Sequence, residues 1–264
     1  MSRTIIRGGT LVTGGDALRA DLLIEGEAIT GILTDAAPGP GDRVIDASGM
    51  LVLPGIVDAH THIQLDTGLY RTADNWEVGT RAAAAGGVTT VIDFANQIVG
   101  KPYQDALGSR LAETAPSLID YTFHMVVLDA PRDLGALQRD LQSIRDLGMN
   151  SIKLFTTYRP NYYLDDAALL RVFKALPEDM IAMIHCENDS IVSEATQTLV
   201  DSGKTGWCYH AEGRPREAEI EAANRVLTLA AMNPSAASVY VAHCSSALTV
   251  LDIQRLRERE HGGV

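Results

Sequence analysis

From residue 54 onward, short apolar segments alternate with longer amphipathic ones, and this rhythm restricts the fold more than any other feature of the chain. Strand-like stretches fall at 55–59, 89–94, 121–128, 151–155, 180–185 and 238–243. Between and after them, apolar residues recur at helical spacing over 75–85, 103–112, 134–147, 166–175, 191–200, 217–231 and 248–260. A strand can be joined to a parallel neighbour only by a crossover, so this alternation predicts parallel βαβ units. The strands are almost continuously apolar, as in a sheet covered by helices on both faces. Six strands suit an open doubly wound sheet, whereas a closed β/α barrel needs eight. Strand pattern alone leaves both open.

Residues 1–53 read differently. Strand-like segments at 4–6, 10–12, 21–25 and 29–33 are punctuated by Gly8-Gly9, Gly14-Gly15 and Gly26-Glu27, and 36–42 (AAPGPGD) is a turn-rich loop. This predicts a small β-sandwich module over 1–53, ahead of a β/α domain over 54–264. Acidic residues outnumber basic ones 34 to 22, a net charge of −12, which argues against a nucleic-acid footprint. No apolar run approaches the roughly 18 residues of a membrane helix. The three cysteines show no CxxC spacing, and the first residues lack a secretory apolar core, so the expected compartment is the cytoplasm.

The strand ends carry the chemistry. The run Leu51-Val52-Leu53-Pro54-Gly55-Ile56-Val57 leads into Asp58-Ala59-His60-Thr61-His62. Side chains two apart on an extended chain point the same way, so His60 and His62 project together and make half of a metal site. The fifth and sixth barrel-type strands end at His185 and His243. Either histidine alone reads as a satisfied core residue. Four histidines at three strand ends point to a metal constellation, since parallel α/β folds gather functional residues there. Lys153 sits inside the apolar strand Ser151-Ile152-Lys153-Leu154-Phe155. A buried ammonium is costly unless neutralised or paired. A salt bridge to Asp93 or Glu187 is the dull solution. Carbamate formation with carbon dioxide is the other, and its two oxygens can bridge two cations.

These motifs resemble the amidohydrolase superfamily, specifically its dihydropyrimidinase/hydantoinase (cyclic amidase) branch. The resemblance rests on Val44–Gly49 followed by 53–62, on Thr80-Arg81-Ala82-Ala83-Ala84-Ala85-Gly86-Gly87-Val88-Thr89-Thr90, and on 151–158. It rests also on His185-Cys186-Glu187-Asn188-Asp189 and on Tyr209-His210-Ala211-Glu212-Gly213-Arg214-Pro215. It implies a (β/α)8 TIM-type barrel, here with about six βα units, and a centre of two divalent ions, usually zinc. By this likeness His60 and His62 bind one ion and His185 and His243 the other, with carboxylated Lys153 bridging them. Tyr158 would hold the substrate carbonyl as charge develops on its oxygen. Gln64, where dihydroorotase-like relatives usually place an arginine, and Leu65 in the loop 65–72 with Leu69 and Tyr70 would border the substrate. Cys186 and Cys244 depart from the family wording and read as small buried fillers rather than ligands.

The implied function is hydrolysis of a small cyclic amide or imide, a dihydropyrimidine or 5-substituted hydantoin, to an N-carbamoyl amino acid. The implied assembly is a dimer or tetramer. Family members continue past the point where this sequence stops, through two further barrel strands, and the eighth carries a metal-binding aspartate that protonates the leaving nitrogen. Asp66, Asp93 and Asp189 offer no clear substitute by spacing. Three explanations stand: a fragment of a longer enzyme, a second chain supplying the strands, or a genuine short form. The isolated chain is expected to turn over poorly. The alternative from another class is a non-catalytic, oligomerising scaffold of the same fold.

Overall fold

The computed structural model describes residues 3–68, 70–233 and 238–261. It divides into two compact units, Met1–Val57 with Gly87–Thr90, and Asp58–Gly86 with Val91–Val264.

The first unit is built around β1 (Arg3–Val12), which pairs antiparallel with β2 (Ala17–Glu25) and parallel with both β4 (Arg43–Asp46) and β5 (Leu51–Val52). β3 (Ala28–Leu33) follows β2 through the two-residue Gly26-Glu27 turn, where Gly26 takes φ +62°. That left-handed conformation is what a tight hairpin requires of its loop. The two strands expected at 4–6 and 10–12 are one. Gly8-Gly9 does not end the strand; it forms a β-bulge between Ile6 and Gly9, with Gly8 at φ +76°. The bulge turns the Gly8 N–H toward Asp21, whose carboxylate accepts from it at 2.7 Å and from Ala36 N–H at 2.8 Å. Those two backbone donors hold the Asp21 carboxyl below its ordinary range. Ile5, Leu23 and Ala36 form the small core beneath.

The six-stranded sheet has the order β11-β10-β9-β8-β7-β6, comprising β6 (Ile56–Asp58), β7 (Val88–Asn96), β8 (Asp120–Val126), β9 (Ser151–Phe155), β10 (Ile181–His185) and β11 (Ser238–Val241). Pairings β8–β9, β9–β10 and β10–β11 are parallel, as the alternation predicts. The crossovers are α1 (Trp76–Ala85), α2 (Tyr103–Glu113), α3 (Leu134–Asp146), α4 (Asp166–Ala175), then α5 (Asp189–Asp201) with α6 (Arg216–Ala231), and α7 (Ala247–His261) follows β11. Local chemistry sets the helix starts: Asn75, Asp133, Asp165 and Asn188 each accept a hydrogen bond from a first-turn N–H. The helices against the middle of the sheet bury one stripe, for example Leu137, Leu141 and Ile144 on α3 and Leu169, Val172 and Phe173 on α4. In β9, Ser151 through Leu154 are all buried, as a central strand covered on both faces should be. Among the described residues no helix is long and apolar enough to cross a membrane.

Candidate active site and metal centre

Lys153 lies at the middle of β9, in register with Val126 on β8 and Met183 on β10. It is 1% exposed, and its Nζ has no hydrogen-bond partner. Around the amine are ring faces, Phe155 at 5.1 Å and Phe94 at 5.8 Å. Burial therefore lowers the Lys153 pKa from 10.5 to about 8. Neither carboxylate proposed as a partner serves it. Asp93 is bound by Arg110 at 2.8 Å, and Glu187 accepts from Arg214 Nε at 3.0 Å.

The four histidines converge beside it. β6 ends at Asp58, so His60 and His62 stand on the irregular segment just past the strand rather than within it. Both rings pack on Phe94, at 4.7 and 4.6 Å between centroids, and lie 5.2 Å from each other. His243, at φ 37° just after β11, bridges the two halves, with its ring 5.3 Å from His60 and 4.5 Å from His185. Desolvation, then the positive charge of Lys153, holds His60 at about 3 and His62 at about 4, although His62 keeps one open side. Desolvation, then His185, holds His243 at about 4. His185 is lowered mainly by burial. All four are neutral at pH 7, the form that offers a lone pair to a cation.

Among the described residues, no three His, Cys, Asp or Glu side chains are already gathered to hold a metal ion. His185 instead shares a 2.5 Å contact with Glu187 through its Nε2. Burial raises the Glu187 carboxyl, but the bonds from His185 and Arg214 outweigh it and leave Glu187 at about 2. The donor set nonetheless fits divalent cations. It comprises four neutral imidazoles and one buried amine without a partner, walled by aromatic rings.

A cavity of about 400 Å³ opens on the His185 and His243 side of this cluster, lined also by Tyr158, Glu187, His210 and Arg214 among others. Tyr158 is 40% exposed and sits at φ +72°. Its hydroxyl accepts from Arg214 Nη2 at 2.9 Å, and the guanidinium lies 5.0 Å from its ring centre. The residues on either side are both held by Asp189: Thr157 Oγ1 and Arg159 N–H donate to it at 3.3 and 3.2 Å.

Other expected site residues are placed differently. Gln64 sits at φ +54°, and its side-chain oxygen accepts from Trp76 N–H at the start of α1 at 3.3 Å. Leu65 is half-buried and its N–H donates to Thr72, while Tyr70 is exposed; Leu69 lies outside the described residues. Asp66 pairs with Arg71, and Asp189 with Arg159. Cys186 is buried and its thiol is pushed up to about 12 by burial, in keeping with a filler. Cys244 is half-buried, with its sulfur 3.5 Å from Glu219. Two roles escape sequence reasoning, that of Arg214, which enters it only as part of a motif, and that of His124. Arg214 orders both Tyr158 and Glu187, and the buried His124 of β8 bonds Ser151 Oγ and the Ala59 carbonyl. A histidine in an otherwise apolar strand was the available signal for the second.

No family model matches the chain. Its relatives are nevertheless consistent. It is 35% identical over 263 residues to a D-hydantoinase of Streptomyces coelicolor and 37% identical over 257 residues to one of Ralstonia pickettii, covering 97% of this chain and 55% of each relative. Among solved structures, a dihydropyrimidinase from Brevibacillus agri superposes with a TM-score of 0.90 at 36% identity, over 98% of this chain and 55% of that one. A D-hydantoinase from a Bacillus species gives 0.90 at 35% identity, over 97% and 55%. The fold is thus that of the hydantoinase TIM barrels, present as a partial barrel with its N-terminal β module. The chain belongs to the hydantoinase branch of the amidohydrolase superfamily. It spans about half the length of the curated relatives it matches.

Proposed function

We propose that this chain carries the metal-binding half of a cyclic amide hydrolase, one that opens a dihydropyrimidine or a 5-substituted hydantoin to an N-carbamoyl amino acid. The observation that carries the reading is the buried, unpartnered Lys153 amine among four neutral histidines. His60 and His62 would hold one divalent ion and His185 and His243 a second, zinc being the expected metal. Lys153 is held close enough to neutrality for its lone pair to attack the carbon of carbon dioxide. Loss of the nitrogen proton then leaves a two-oxygen anion between the histidine pairs. When bound, the ions supply hydroxide from water near neutral pH and polarise the substrate carbonyl.

The remaining groups belong to the chain itself. Tyr158 presents its hydroxyl to the cavity, where it would donate to the ring carbonyl oxygen as negative charge builds there. Arg214 fixes that hydroxyl and keeps Glu187 ionised. For His185 to serve as a ligand, its Nε2 must leave Glu187, which Arg214 retains. We read 1–53 as the β module and 54–264 as the barrel portion. The small cyclic amide, a cytoplasmic location and a dimeric or tetrameric assembly complete the reading.

The contact between His185 and Glu187 is what a non-catalytic scaffold would show, so the test separates the two. The purified chain is loaded with Zn2+ and isotope-labelled bicarbonate, and is then analysed for metal content and by carbon NMR. Two ions per chain and a carbamate signal that disappears in Lys153→Met are expected. Absence of both ions and carbamate would rule out the metal-hydrolase reading and leave the scaffold.

A further inference from the structure

The segment that bears the paired histidines lies past the end of β6, outside regular secondary structure, so its course depends on individual bonds. Residues 59, 61 and 63 are all tied back into the barrel framework. The Ala59 carbonyl accepts from His124 Nε2 at 2.9 Å. Thr61 N–H donates to Ile92 O, and Thr61 Oγ1 donates to Asp93 Oδ2, each at 3.2 Å. Ile63 N–H donates to the same Asp93 oxygen at 2.7 Å, and Ile63 O accepts from Arg110 Nη2 at 2.8 Å. That same Arg110 nitrogen donates to Asp93 Oδ1, which also accepts Phe94 N–H at 2.6 Å.

Asp93 is fully buried, and Arg110 is buried against the Trp76 and Phe123 rings, with Glu113 as a second ion-pair partner. A pair removed from water in this way is poor evidence for stability alone, since an apolar pair of similar volume often serves as well. Here Asp93 Oδ2 accepts from Thr61 and Ile63, and Arg110 Nη2 donates to Ile63 O, so one end of each partner grips the histidine loop. His124 adds a link of defined direction. A carbonyl only accepts, so Nε2 carries the proton, and Nδ1 accepts from Ser151 Oγ at 2.6 Å. Ser151 lies two residues before Lys153 on β9, so the same imidazole couples the histidine loop to the lysine strand.

We propose that Asp93, Arg110 and His124 are positioning residues that clamp residues 59, 61 and 63, so that His60 and His62 are presented to a cation without further ordering. The inference rests on the metal reading above. It goes beyond that reading by assigning a role to a buried ion pair and a histidine that touch no proposed ligand atom. Ordering of this kind matters because losing a partner behind a metal ligand typically costs about 10- to 100-fold in metal affinity.

The test uses the 264-residue chain, Asp93→Asn and the milder Thr61→Val, which removes one bond to Asp93 and keeps the shape. Co2+ is titrated and followed by its visible absorption, and amide hydrogen exchange at Ile63 is measured without metal. The unaltered chain should take two ions. Asp93→Asn should weaken one of them roughly 10- to 100-fold and speed Ile63 exchange by a comparable factor. Thr61→Val should move both readouts the same way by less, with circular dichroism unchanged. Two-ion uptake and Ile63 exchange unchanged in both variants would overturn the clamp alone. A chain that takes up no Co2+ would overturn the metal reading and with it the purpose of the clamp.

Discussion

Replacing Lys153 by methionine should make the metal-free protein more stable at neutral pH. The lysine pKa falls from 10.5 in the open chain to about 8 in the fold. A group whose folded pKa lies below its unfolded value opposes folding wherever the unfolded chain carries the extra proton. Above pH 10.5 the amine is neutral in both states and has no effect. Between 10.5 and 8 the opposition grows as pH falls, and below 8 it is complete. At ~1.4 kcal/mol per pH unit the full effect is about 3 kcal/mol. Methionine has a similar length and no charge, and a mismatch in packing should take back less than about 1.5 kcal/mol. The expected gain at pH 7 is therefore about 2 kcal/mol, vanishing above pH 10.5. Urea unfolding with a chelator, in buffer depleted of carbon dioxide, keeps metal and carbamate out of the comparison. Trp76 reports on it cleanly, being 0% exposed while Trp207 is 91% exposed and already in water. The Cys186 thiol, raised to about 12 mainly by burial, opposes folding above pH 9, and because the Lys153 charge pulls it down the two proteins are compared at pH 9 and below. A variant no more stable than the parent at pH 7, or a gain independent of pH, would show that the lysine is not held in the apolar setting described.

Three further outcomes are expected. Because His60, His62 and His243 lie at about 3 to 4, loading Zn2+ at pH 7 should release almost no protons from histidine, and those released should come from Lys153. Calorimetry in buffers of different ionisation enthalpy counts them, and release that falls steeply from pH 6 to 7 would contradict the assignment. The same three histidines should make the metal-free fold lose stability as pH drops through 6.5 toward 4, since the unfolded chain takes up protons there that the fold refuses; the His60→Gln variant should flatten that slope in urea midpoints. Alkylation of the folded protein at pH 8 followed by mass spectrometry should modify exposed Cys208 and leave buried Cys186 intact.

Much of the barrel portion is legible from local periodicity, because strand and helix patterns depend on neighbours a few residues apart. The six strands fall where the apolar segments lie, and Asn75, Asp133, Asp165 and Asn188 mark helix starts by capping chemistry. Features that depend on distant pairing are less visible. Glycine signals conformational freedom without saying how it is used, so Gly8-Gly9 reads as an end where the strand bulges and continues. β4 and β5 are short and largely exposed, and only their parallel pairing with β1 makes them strands. At the site, the convergence of His60, His62, His185 and His243 is legible, but the fate of each charge is not. Asp93 and Glu187 are plausible partners for Lys153 by sequence, yet each is taken by an arginine, whose planar fork matches a carboxylate better than an ammonium does. The competition among buried charges is decided by reach in three dimensions.

The way Asp189 grips Thr157 and Arg159 has a consequence for how such a site can change over generations. The backbone on both sides of Tyr158 is held by bonds made by its two neighbours, while Arg214 holds the hydroxyl. The course of the loop is therefore set apart from the side chain at 158: a group that tolerates the left-handed backbone, which excludes β-branched residues, can be tried there. Selection for a different ring substituent or a different leaving group can act on one codon, and the framework that delivers the residue stays the same.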